Sequence, residues 1–416
     1  MKTRYQWKIL SLLCALAITI ALCPTASLAE SGFAGGSGTA ADPWQIETAA
    51  QLAAINNDLT ASYVLTADID LSAYGEWTPI GAYVQDKSSD PDGEDPILEY
   101  AFTGTLDGSN HVISNLTISE PEGMGVGLFA CIAGENGAAR NLTFRDVNVS
   151  GMMMCSSLVG YVTSTADNAI DNVHLIASEG RRNTIQDSFV MAGGIVAGCT
   201  NASITNCSVE NTDIITGPFG IAGALGGGLS HPILRDCTAS NCTVTAESLM
   251  TGEAEGMGTV EGLYVGGLAG CVNSAREPVT GCAAIDVTVT VGGAGRLVGG
   301  LIGGGGSEVT EDNSSPMIVD QCQTTNVNIV ITSADVSGIG GLIGGGMTDE
   351  DSGIIHSFAI TNCSASGDLT ADGLDPIANE IGLLLGRAYR STVDDETVSE
   401  VTFGGGDCAL IGIEME

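Results

Sequence analysis

A short apolar phrase rich in glycine recurs along the second half of the chain. Each copy opens with valine or isoleucine, continues through glycine and aliphatic residues, and closes on glycine. The four clearest copies are Val265-Gly-Gly-Leu-Ala-Gly270, Val298-Gly-Gly-Leu-Ile-Gly303, Ile339-Gly-Gly-Leu-Ile-Gly344 and Ile381-Gly-Leu-Leu-Leu-Gly386. Looser copies extend the series back to residue 126, with 30 to 43 residues between equivalent positions. Self-similarity at this period predicts a solenoid whose loops accept insertions of different length.

Apolar residues between the copies fall in short runs. In residues 299–332 the phrase is followed by a polar loop from Ser307 to Pro316, then by Met317-Ile-Val-Asp-Gln-Cys-Gln323 and Val327-Asn-Ile-Val-Ile-Thr332. Runs that are short, β-branched and bounded by glycine or polar residues indicate strands and are too brief for helices. The pattern therefore predicts three strands in each repeat.

An asparagine recurs inside the second of these runs, after one apolar and one polar residue. Asparagine tolerates the left-handed backbone conformation and hydrogen-bonds to main chain at turns. The pattern predicts one turn repeated in coil after coil. Its asparagines are Asn115, Asn141, Asn172, Asn206 and Asn362.

Two segments within the first 60 residues have recognisable patterns, one of a signal peptide and one of a helix. Basic residues at 2, 4 and 8, an apolar run over 9–23 and small residues at 27 and 29 predict a secretory signal peptide, residues 1–29. Leu22 before Cys23 does not fit a lipoprotein signal. Residues 46–56 have apolar positions at helical spacing, and Thr48 and Gln51 have the spacing of a capping box, so a short capping helix is expected there.

Charge narrows the classes of partner. After removal of residues 1–29 the chain has 10 basic and 50 acidic residues, a net charge of −40, and Lys87 is its only lysine. Nucleic acid and anionic membranes are poor partners for such a surface. No later segment has the 18 uninterrupted apolar residues of a membrane span. The excess charge is typical of a soluble, extended surface, and cation binding is the alternative.

Cysteines recur with the repeat. Those at positions 207, 237, 282, 322 and 363 occupy equivalent places, and Cys131, Cys199 and Cys271 follow the glycine phrase. Parallel strands about 4.8 Å apart hold equivalent Cβ atoms farther apart than a relaxed disulfide requires. We therefore expect mostly free, buried thiols that pack as small apolar side chains.

The phrase Gly-Gly-Leu-Ile-Gly resembles the GLUG motif of bacterial surface proteins, and the opening segment resembles the leader that precedes it. The leader includes Phe33-Ala-Gly-Gly-Ser-Gly-Thr39, Asp42-Pro-Trp-Gln-Ile46, Trp77-Thr-Pro-Ile-Gly81 and Phe102-Thr-Gly-Thr-Leu-Asp-Gly108. The resemblance implies an all-β fold, a right-handed parallel β-helix related to filamentous haemagglutinin-like adhesins and to a domain of certain immunoglobulin A peptidases. The acidic stretch from Gln85 to Glu99 departs from the usual leader.

Catalytic constellations are sparse. The four histidines, at 111, 174, 231 and 356, lack the paired spacing of a zinc protease. Parallel β-helices also carry polysaccharide hydrolases and lyases, and a glycosidase needs two carboxyl groups about 5 to 10 Å apart. Asp68, Asp70 and Asp107 are the candidates, although turn capping also explains them. A lyase acting on uronates needs basic side chains near its substrate, and basic residues are few and dispersed.

Calcium is the one cofactor with a chemical case, because hard oxygen ligands cluster in loops. The candidate ligands are Asp86, Asp90, Asp92, Glu94 and Asp95; weaker groups are Glu308, Glu311 and Asp312, then Asp349, Glu350 and Asp351. Their spacing matches neither an EF-hand nor the nonapeptide calcium repeat. No cofactor is required by the pattern, and the favoured explanation of these residues is solvated acidic loops.

Together these features predict a secreted β-solenoid with residues 1–29 as signal peptide, 30–118 as cap and leader coils, and 119–416 as repeat coils of the same domain. The expected function is adhesin-like binding of a host or bacterial surface glycan or protein, without catalysis and with no catalytic residues assigned. The alternative is a carbohydrate-active enzyme, a polysaccharide hydrolase or lyase, on the same scaffold.

Overall fold

A computed structural model gives the fold. It describes residues 32–83, 100–217, 220–247, 264–292, 297–309, 315–332, 336–346, 348–349, 354–371, 373–404 and 408–415. The chain from Phe33 onward forms a single folding unit. The helices whose two ends both lie among the described residues are α1, Ala49–Ala53, and the 3₁₀ turn Ala54–Asn57 that follows. Neither has the length of a membrane-spanning helix, and the described part of the chain contains no such span.

Short strands make up the rest of the fold. The strands of the first half are β1 Trp44–Ile46, β2 Ser62–Leu65, β3 Ile69–Asp70, β4 Thr105–Asp107, β5 Val112–Ser114, β6 Thr117–Val126, β7 Phe129–Gly134, β8 Ala138–Arg145, β9 Asn148–Cys155, β10 Val159–Ser164, β11 Ile170–Ile176, β12 Asn183–Asp187, β13 Met191–Gly193, β14 Val196–Thr200, β15 Ser203–Thr205, β16 Ser208–Glu210, β17 Thr212–Thr216, β18 Ile221–Gly223, β19 Gly226–Ser230, β20 Ile233–Arg235, β21 Thr238–Ser240 and β22 Thr243–Glu247. Those of the second half are β23 Tyr264–Gly266, β24 Ala269–Asn273, β25 Val279–Thr280, β26 Ala283–Ile285, β27 Thr288–Gly292, β28 Val298–Gly299, β29 Ile302–Val309, β30 Met317–Asp320, β31 Gln323–Ile331, β32 Ile339–Gly340, β33 Ile343–Gly346, β34 Thr348–Asp349, β35 Ile354–Thr361, β36 Ser364–Thr370, β37 Ile381–Gly382, β38 Leu385–Tyr389, β39 Thr392–Val393, β40 Val398–Phe403 and β41 Ile411–Met415.

Most strands pair in parallel with the equivalent strands of the coils before and after them, so the chain winds as a parallel β-helix. The coil that begins at Val196 illustrates five strand positions, β14 to β18, and each continues into the next coil as β19 to β23. We call these five stacks the first to fifth ladders. The predicted parallel β-helix is confirmed, whereas the prediction of three strands per repeat is wrong because left-handed corner residues divide the runs further.

Two kinds of corner turn the chain between ladders. In the coil of β14, single asparagines with φ between 51° and 60° separate the first four ladders: Asn201, Asn206 and Asn211. We call these the amide corners. The glycine phrase joins the fifth ladder to the first. In one coil it includes β28, Val298–Gly299, and leads into β29, which begins at Ile302. We call this the glycine corner.

The predicted left-handed conformation of the five asparagines is confirmed, but they lie at two different corners of the coil. All five asparagines have φ between 50° and 60°. Asn141, Asn172, Asn206 and Asn362 lie between the second and third ladders, whereas Asn115 lies between β5 and β6, at the third-to-fourth corner. The same apolar-polar-amide-apolar sequence therefore makes two corners, because both have the same backbone requirement.

The inside of the coils is apolar along its length. The interior changes character from end to end, and large aromatic rings are concentrated in the early coils, where Phe102 and Phe129 stack with centroids 4.6 Å apart. The cysteines at 207, 237, 282, 322 and 363 are at most 1% exposed and lie just after the second-to-third corner. No disulfide joins any of the eleven cysteines that the structure describes, in agreement with the spacing argument from the sequence.

The three cysteines after the glycine phrase do not form one stack. Cys199 pairs in register with Leu229 and belongs to the main core, whereas Cys271 pairs with Gly228 on the other face of the first ladder. Cys131 packs there against Ala101 and Ala133, in a small satellite cluster. An offset of one residue along a strand reverses the face, so the shared distance from the phrase was misleading.

The N-terminal edge of the helix of strands is covered. Residues before β1 fold back so that Gly35 and Gln45 form an antiparallel bridge on the free edge of β1. Helix α1 follows, and Thr48 and Gln51 make the predicted capping box, with the Gln51 N–H donating to Thr48 Oγ1 at 3.3 Å. The short N-terminal capping helix is confirmed.

A small antiparallel sheet extends from the corner between the first and second ladders. Strand β35 pairs antiparallel with the end of β29, Ser307 opposite Ser357, and with β34. The predicted polar loop from Ser307 therefore begins as strand, because β29 continues to Val309.

Candidate binding site

One corner of the β-helix is enlarged. In the coils directly before and after it, the third-to-fourth corner is a single left-handed residue, Asp146 or Asn211. Between β11 and β12 it consists of residues 177–182. The flanking strands keep their register, since Leu175 pairs with Val209 and Asn183 with Thr212. The insertion therefore projects from the coil without disturbing the ladders.

The insertion is a defined turn. The Arg181 N–H donates to the Ser178 carbonyl oxygen at 2.9 Å. Gly180 has φ +73°, the conformation that the third position of a type II turn requires. The sequence Ser-Glu-Gly-Arg thus folds locally and leaves the Arg181 side chain at its end.

Asp146 of the preceding coil anchors this turn. Its carboxylate accepts hydrogen bonds from the Ser178 N–H at 2.8 Å, from the Ser178 hydroxyl at 2.7 Å and from the Arg181 guanidinium at 3.0 Å. Desolvation opposes ionisation, but the Ser178 and Arg181 contacts outweigh it and lower the pKa of Asp146. The carboxylate is therefore charged at neutral pH and holds the turn against the coil.

The following residues fix the insertion to the next two coils. Arg182 donates to Asp213 Oδ1 at 2.8 Å and to the carbonyl oxygens of Thr212 at 3.2 Å and Asn241 at 3.1 Å. Asn183 is fully buried; its Oδ1 accepts from the Val147 N–H at 2.8 Å. A buried amide bonded in this way restores a backbone contact that the insertion interrupts.

These contacts enclose a polar cavity of about 330 Å³, which we call the corner groove. Its floor lies on the fourth ladder, where Thr117, Asn148 and Thr184 pair in register on three successive coils. Its lining comprises Asn115, Thr117, Asp146, Val147, Asn148, Arg181, Arg182 and Thr184. Amides, hydroxyls and guanidinium groups supply hydrogen bonds to a polar ligand, and the pinned turn holds them in place before binding.

The aspartates considered as catalytic candidates are bound into corners. Asp70 Oδ1 accepts from the Ser72 N–H at 2.9 Å and from Asn115 Nδ2 at 2.8 Å. Asp107 Oδ1 accepts from the Ser109 N–H at 2.8 Å and from Asn141 Nδ2 at 3.0 Å. These contacts are the turn capping that the sequence offered as the alternative explanation.

Asp68 is held in the same way. Its Oδ1 lies 3.0 Å from the Val112 N–H and 3.0 Å from His111 Nδ1. The Val112 N–H is the main cause that lowers the pKa of Asp68, and the Ser72 N–H is the main cause for Asp70. A general acid would need the opposite shift.

The calcium candidates Asp86, Asp90, Asp92, Glu94 and Asp95 lie outside the described residues. Glu311, Asp312, Glu350 and Asp351 also lie outside them, and Glu308 lies in β29. Within the described ranges no three His, Cys, Asp or Glu side chains are grouped as metal ligands.

The residues of the corner groove were missed by sequence reasoning. Arg181 and Arg182 form the chain's one pair of adjacent arginines, and the statement that basic residues are dispersed is wrong at this point. The pair follows a Ser-Glu-Gly turn sequence where the neighbouring coils have one residue, Asp146 or Asn211. That combination is the signal that could have identified the insertion.

Comparisons with known proteins agree with the repeat. The family model of the GLUG motif matches residues 335–370, so the predicted resemblance is confirmed there. Halomucin of Haloquadratum walsbyi is 37% identical over 146 residues, which are 33% of this chain and 1% of that protein. A protein of Evansella cellulosilytica, provisionally named a Gly-rich membrane protein, is 34% identical over 171 residues, 39% of this chain and 18% of that protein.

These relatives are much longer than the segments they share with the chain. A solved structure from Bacteroides ovatus, provisionally assigned as an immunoglobulin A1 protease, aligns over 89% of this chain and 86% of its own. The TM-score is 0.40 and the identity 14%. This likeness carries no argument about activity, and the β-helix is established by the chain's own ladders.

Proposed function

Because the chain carries a GLUG motif within a parallel β-helix, we propose that it is a secreted or surface-exposed, adhesin-like protein that binds a ligand without transforming it. The corner groove is the observation that carries this proposal. It is an insertion into an otherwise regular coil, and hydrogen bonds to the coils on both sides hold it. Such an arrangement is typical of recognition residues displayed on a rigid scaffold.

The chemistry of the groove supports binding over catalysis. Asp146 is the one carboxylate in its described lining, and three hydrogen bonds from the insertion already occupy it. A glycosidase needs a second carboxyl group across the scissile bond and an acid with a raised pKa. The lining also lacks a histidine or cysteine to act as base or nucleophile.

The proposed location of the protein at the cell surface is supported by its sequence and by the names of its relatives. The signal-like residues 1–29 favour export, and one relative is named a membrane protein. The strongly acidic composition suits an extended surface in water. These observations support display at the cell surface as part of the proposal.

The test uses purified residues 30–416 on an array of glycans and matrix proteins. Asn148→Trp fills the floor of the corner groove, and Thr288→Trp is the matched control at the equivalent position of the same ladder, three coils beyond Thr184. We expect a ligand whose binding is lost in Asn148→Trp and retained in Thr288→Trp. Binding unaffected by Asn148→Trp would remove the groove from the proposal, and an array without any ligand would refute it.

Turnover separates the two functional classes. Reducing-sugar, unsaturated-uronate and peptide-release assays, with calcium and zinc supplied, should give no product with any ligand from the array. Sustained product formation would instead place the protein among the carbohydrate-active enzymes or proteases.

A further inference from the structure

We propose that the corner groove binds a sugar carrying a carboxylate, with Arg181 as the group that pairs with the acid. This inference rests on the proposed function and names the ligand class of the same site. It depends on a difference between the two adjacent arginines, which share the groove but have different contacts.

Arg182 is committed to the scaffold. Its guanidinium has three hydrogen bonds to two other coils, and its side chain is 34% exposed. Arg181 is 62% exposed, and its one ion pair in the described structure joins NH1 to Asp146. The planar guanidinium has five N–H donors and matches a carboxylate in a bidentate geometry. Arg181 therefore retains donors for an incoming acid.

Local charge permits an anion here. The chain without residues 1–29 has a net charge of −40, so most of its surface repels carboxylates. At the corner groove the pairs Arg181–Asp146 and Arg182–Asp213 balance their charges. Glu179 of the turn is exposed and is not part of the groove's lining. The positive member of the first pair is far more exposed than Asp146, at 62% against 12%. An anion arriving from solvent thus meets the guanidinium before the carboxylate.

The remaining lining suits hydroxyl groups. Thr117, Asn148 and Thr184 form a polar floor beside Asn115, and the described lining has no aromatic side chain. The cavity of about 330 Å³ lies at the small end of ligand sites, which span about 300 to 1,000 Å³. A single acidic sugar unit, as found at the end of a glycan chain, fits this combination of size, hydroxyl partners and one cation.

Affinity for an isolated sugar should be weak. The guanidinium is open to water, and an exposed ion pair changes affinity by at most about fivefold. We expect dissociation constants of about 1 mM, with the acid preference reduced by salt because screening acts on exposed charges. A glycan presented in many copies would bind more tightly by avidity.

The experiment is a titration of residues 30–416 with sodium glucuronate and sodium N-acetylneuraminate, each against a neutral sugar, glucose and N-acetylglucosamine. NMR chemical shifts in 50 mM and 500 mM NaCl report the binding. We expect about threefold to fivefold tighter binding of one acid at low salt, and loss of that preference in Arg181→Ala. Arg235→Ala is the matched control, since its side chain is 42% exposed and pairs with Glu277 far from the groove in sequence.

The outcomes are distinguishable. Equal binding of acidic and neutral sugars, or an acid preference that survives Arg181→Ala, would overturn the inference while an array ligand sensitive to Asn148→Trp would leave the proposed function standing. Circular dichroism of Arg181→Ala checks the fold, and Arg181→Lys should retain charge attraction but lose most of the preference that depends on bidentate geometry.

Discussion

The glycine corner and the amide corners solve the same problem, a sharp turn between two ladders, by opposite means. At the glycine corner, Gly299, Gly300 and Gly303 all keep φ outside the left-handed region. At the amide corners the turning residue has φ near +55° and carries a side chain, as Asn206 does. The first corner thus depends on the absence of a Cβ and the second on a strained backbone that a side chain stabilises.

Close approach of backbones explains the glycines. A Cβ on Gly299 would overlap the carbonyl oxygen of Ile302 in its own corner, and a Cβ on Gly300 would overlap the carbonyl oxygen of Gly341 in the next coil. A Cβ on Gly303 would overlap Gly270 of the previous coil. The corner is therefore packed against its neighbours on both sides, and this explains why the phrase repeats with little change.

Side-chain bonding between coils explains the asparagines. Asn206 Nδ2 donates to Asp171 Oδ1 at 2.8 Å, and Asn362 Nδ2 donates to Asp320 Oδ1 at 2.8 Å. Asn172 Nδ2 donates to Asn141 Oδ1 at 3.0 Å. The amide corners face solvent, so they tolerate replacements such as Asp236 and Gln321, which have similar φ. Packing keeps glycine at the position of Gly299 in six successive coils, whereas solvent exposure lets the amide corners vary.

The largest effect is expected at the glycine corner. Gly299→Ala places a Cβ against the Ile302 carbonyl oxygen of the same corner, at a position that is glycine in each coil from Gly193 to Gly382. It should cost about 3 kcal/mol of unfolding free energy, the upper end for over-packing. Urea denaturation measures the loss. Gly404→Ala is the control, because its nearest contact would be at 3.9 Å and its φ is not left-handed. Similar stability of the two variants would contradict the close-approach explanation.

A smaller effect is expected at an amide corner. Asn206→Ala destabilises the fold in two ways. Alanine is strained in the left-handed backbone conformation that asparagine tolerates, and the hydrogen bond to Asp171 is lost. Together the two effects should lower the free energy of unfolding by about 2 kcal/mol. Asn206→Gly relieves the backbone and loses only the hydrogen bond, so it should cost about 1 kcal/mol. Equal costs for the two variants would show that φ does not limit the residue at this corner.

The comparison also explains what the sequence could predict. The glycine phrase and the asparagines are local signals with a fixed backbone meaning, so the solenoid, its corners and the N-terminal cap could be predicted from residues such as Gly300, Asn206 and Thr48. The count of strands could not, because a single left-handed residue such as Gln321 divides a run without changing its apolar alternation. The same short sequence around an asparagine also occurs at two different corners. Asn115 was therefore assigned to the second-to-third corner, although it lies at the third-to-fourth corner.

The corner groove was harder to predict for a different reason. Arg181 and Asp146 are 35 positions apart in sequence and 3.0 Å apart in the fold. Their contact depends on stacking register, which the uneven spacing of the repeats obscures. Asp68, Asp70 and Asp107 were considered as catalytic candidates because carboxylates suggest chemistry, yet their partners are the corner groups that register brings beside them.

Thiol accessibility tests the interior behind an amide corner. Cys237 follows the corner residue Asp236 and is fully buried, and this burial raises its pKa. Among the described cysteines, Cys408 is the one not fully buried. Alkylation of native residues 30–416 should label Cys408 first, with the stacked thiols labelled only after denaturation, because the thiolate needs water. Rapid labelling of Cys237 in the native protein, detected by peptide mass, would contradict the stacked arrangement.

The smallest effect is a dependence of stability on acid. Hydrogen bonds from Asn362, Thr361 and Gln321 lower the pKa of Asp320 below its ordinary value of 3.8. Its contribution to folding is therefore complete above that value and is lost as the pH falls through the lower pKa of the folded state. Asp320→Asn should make the unfolding midpoint in urea less sensitive to pH below 4. Because Asp320 is open to water, screening keeps the effect small. Comparing the stability lost in Asp320→Asn with that lost in Asn206→Gly measures how much of the stability of an amide corner comes from the charge of the aspartate.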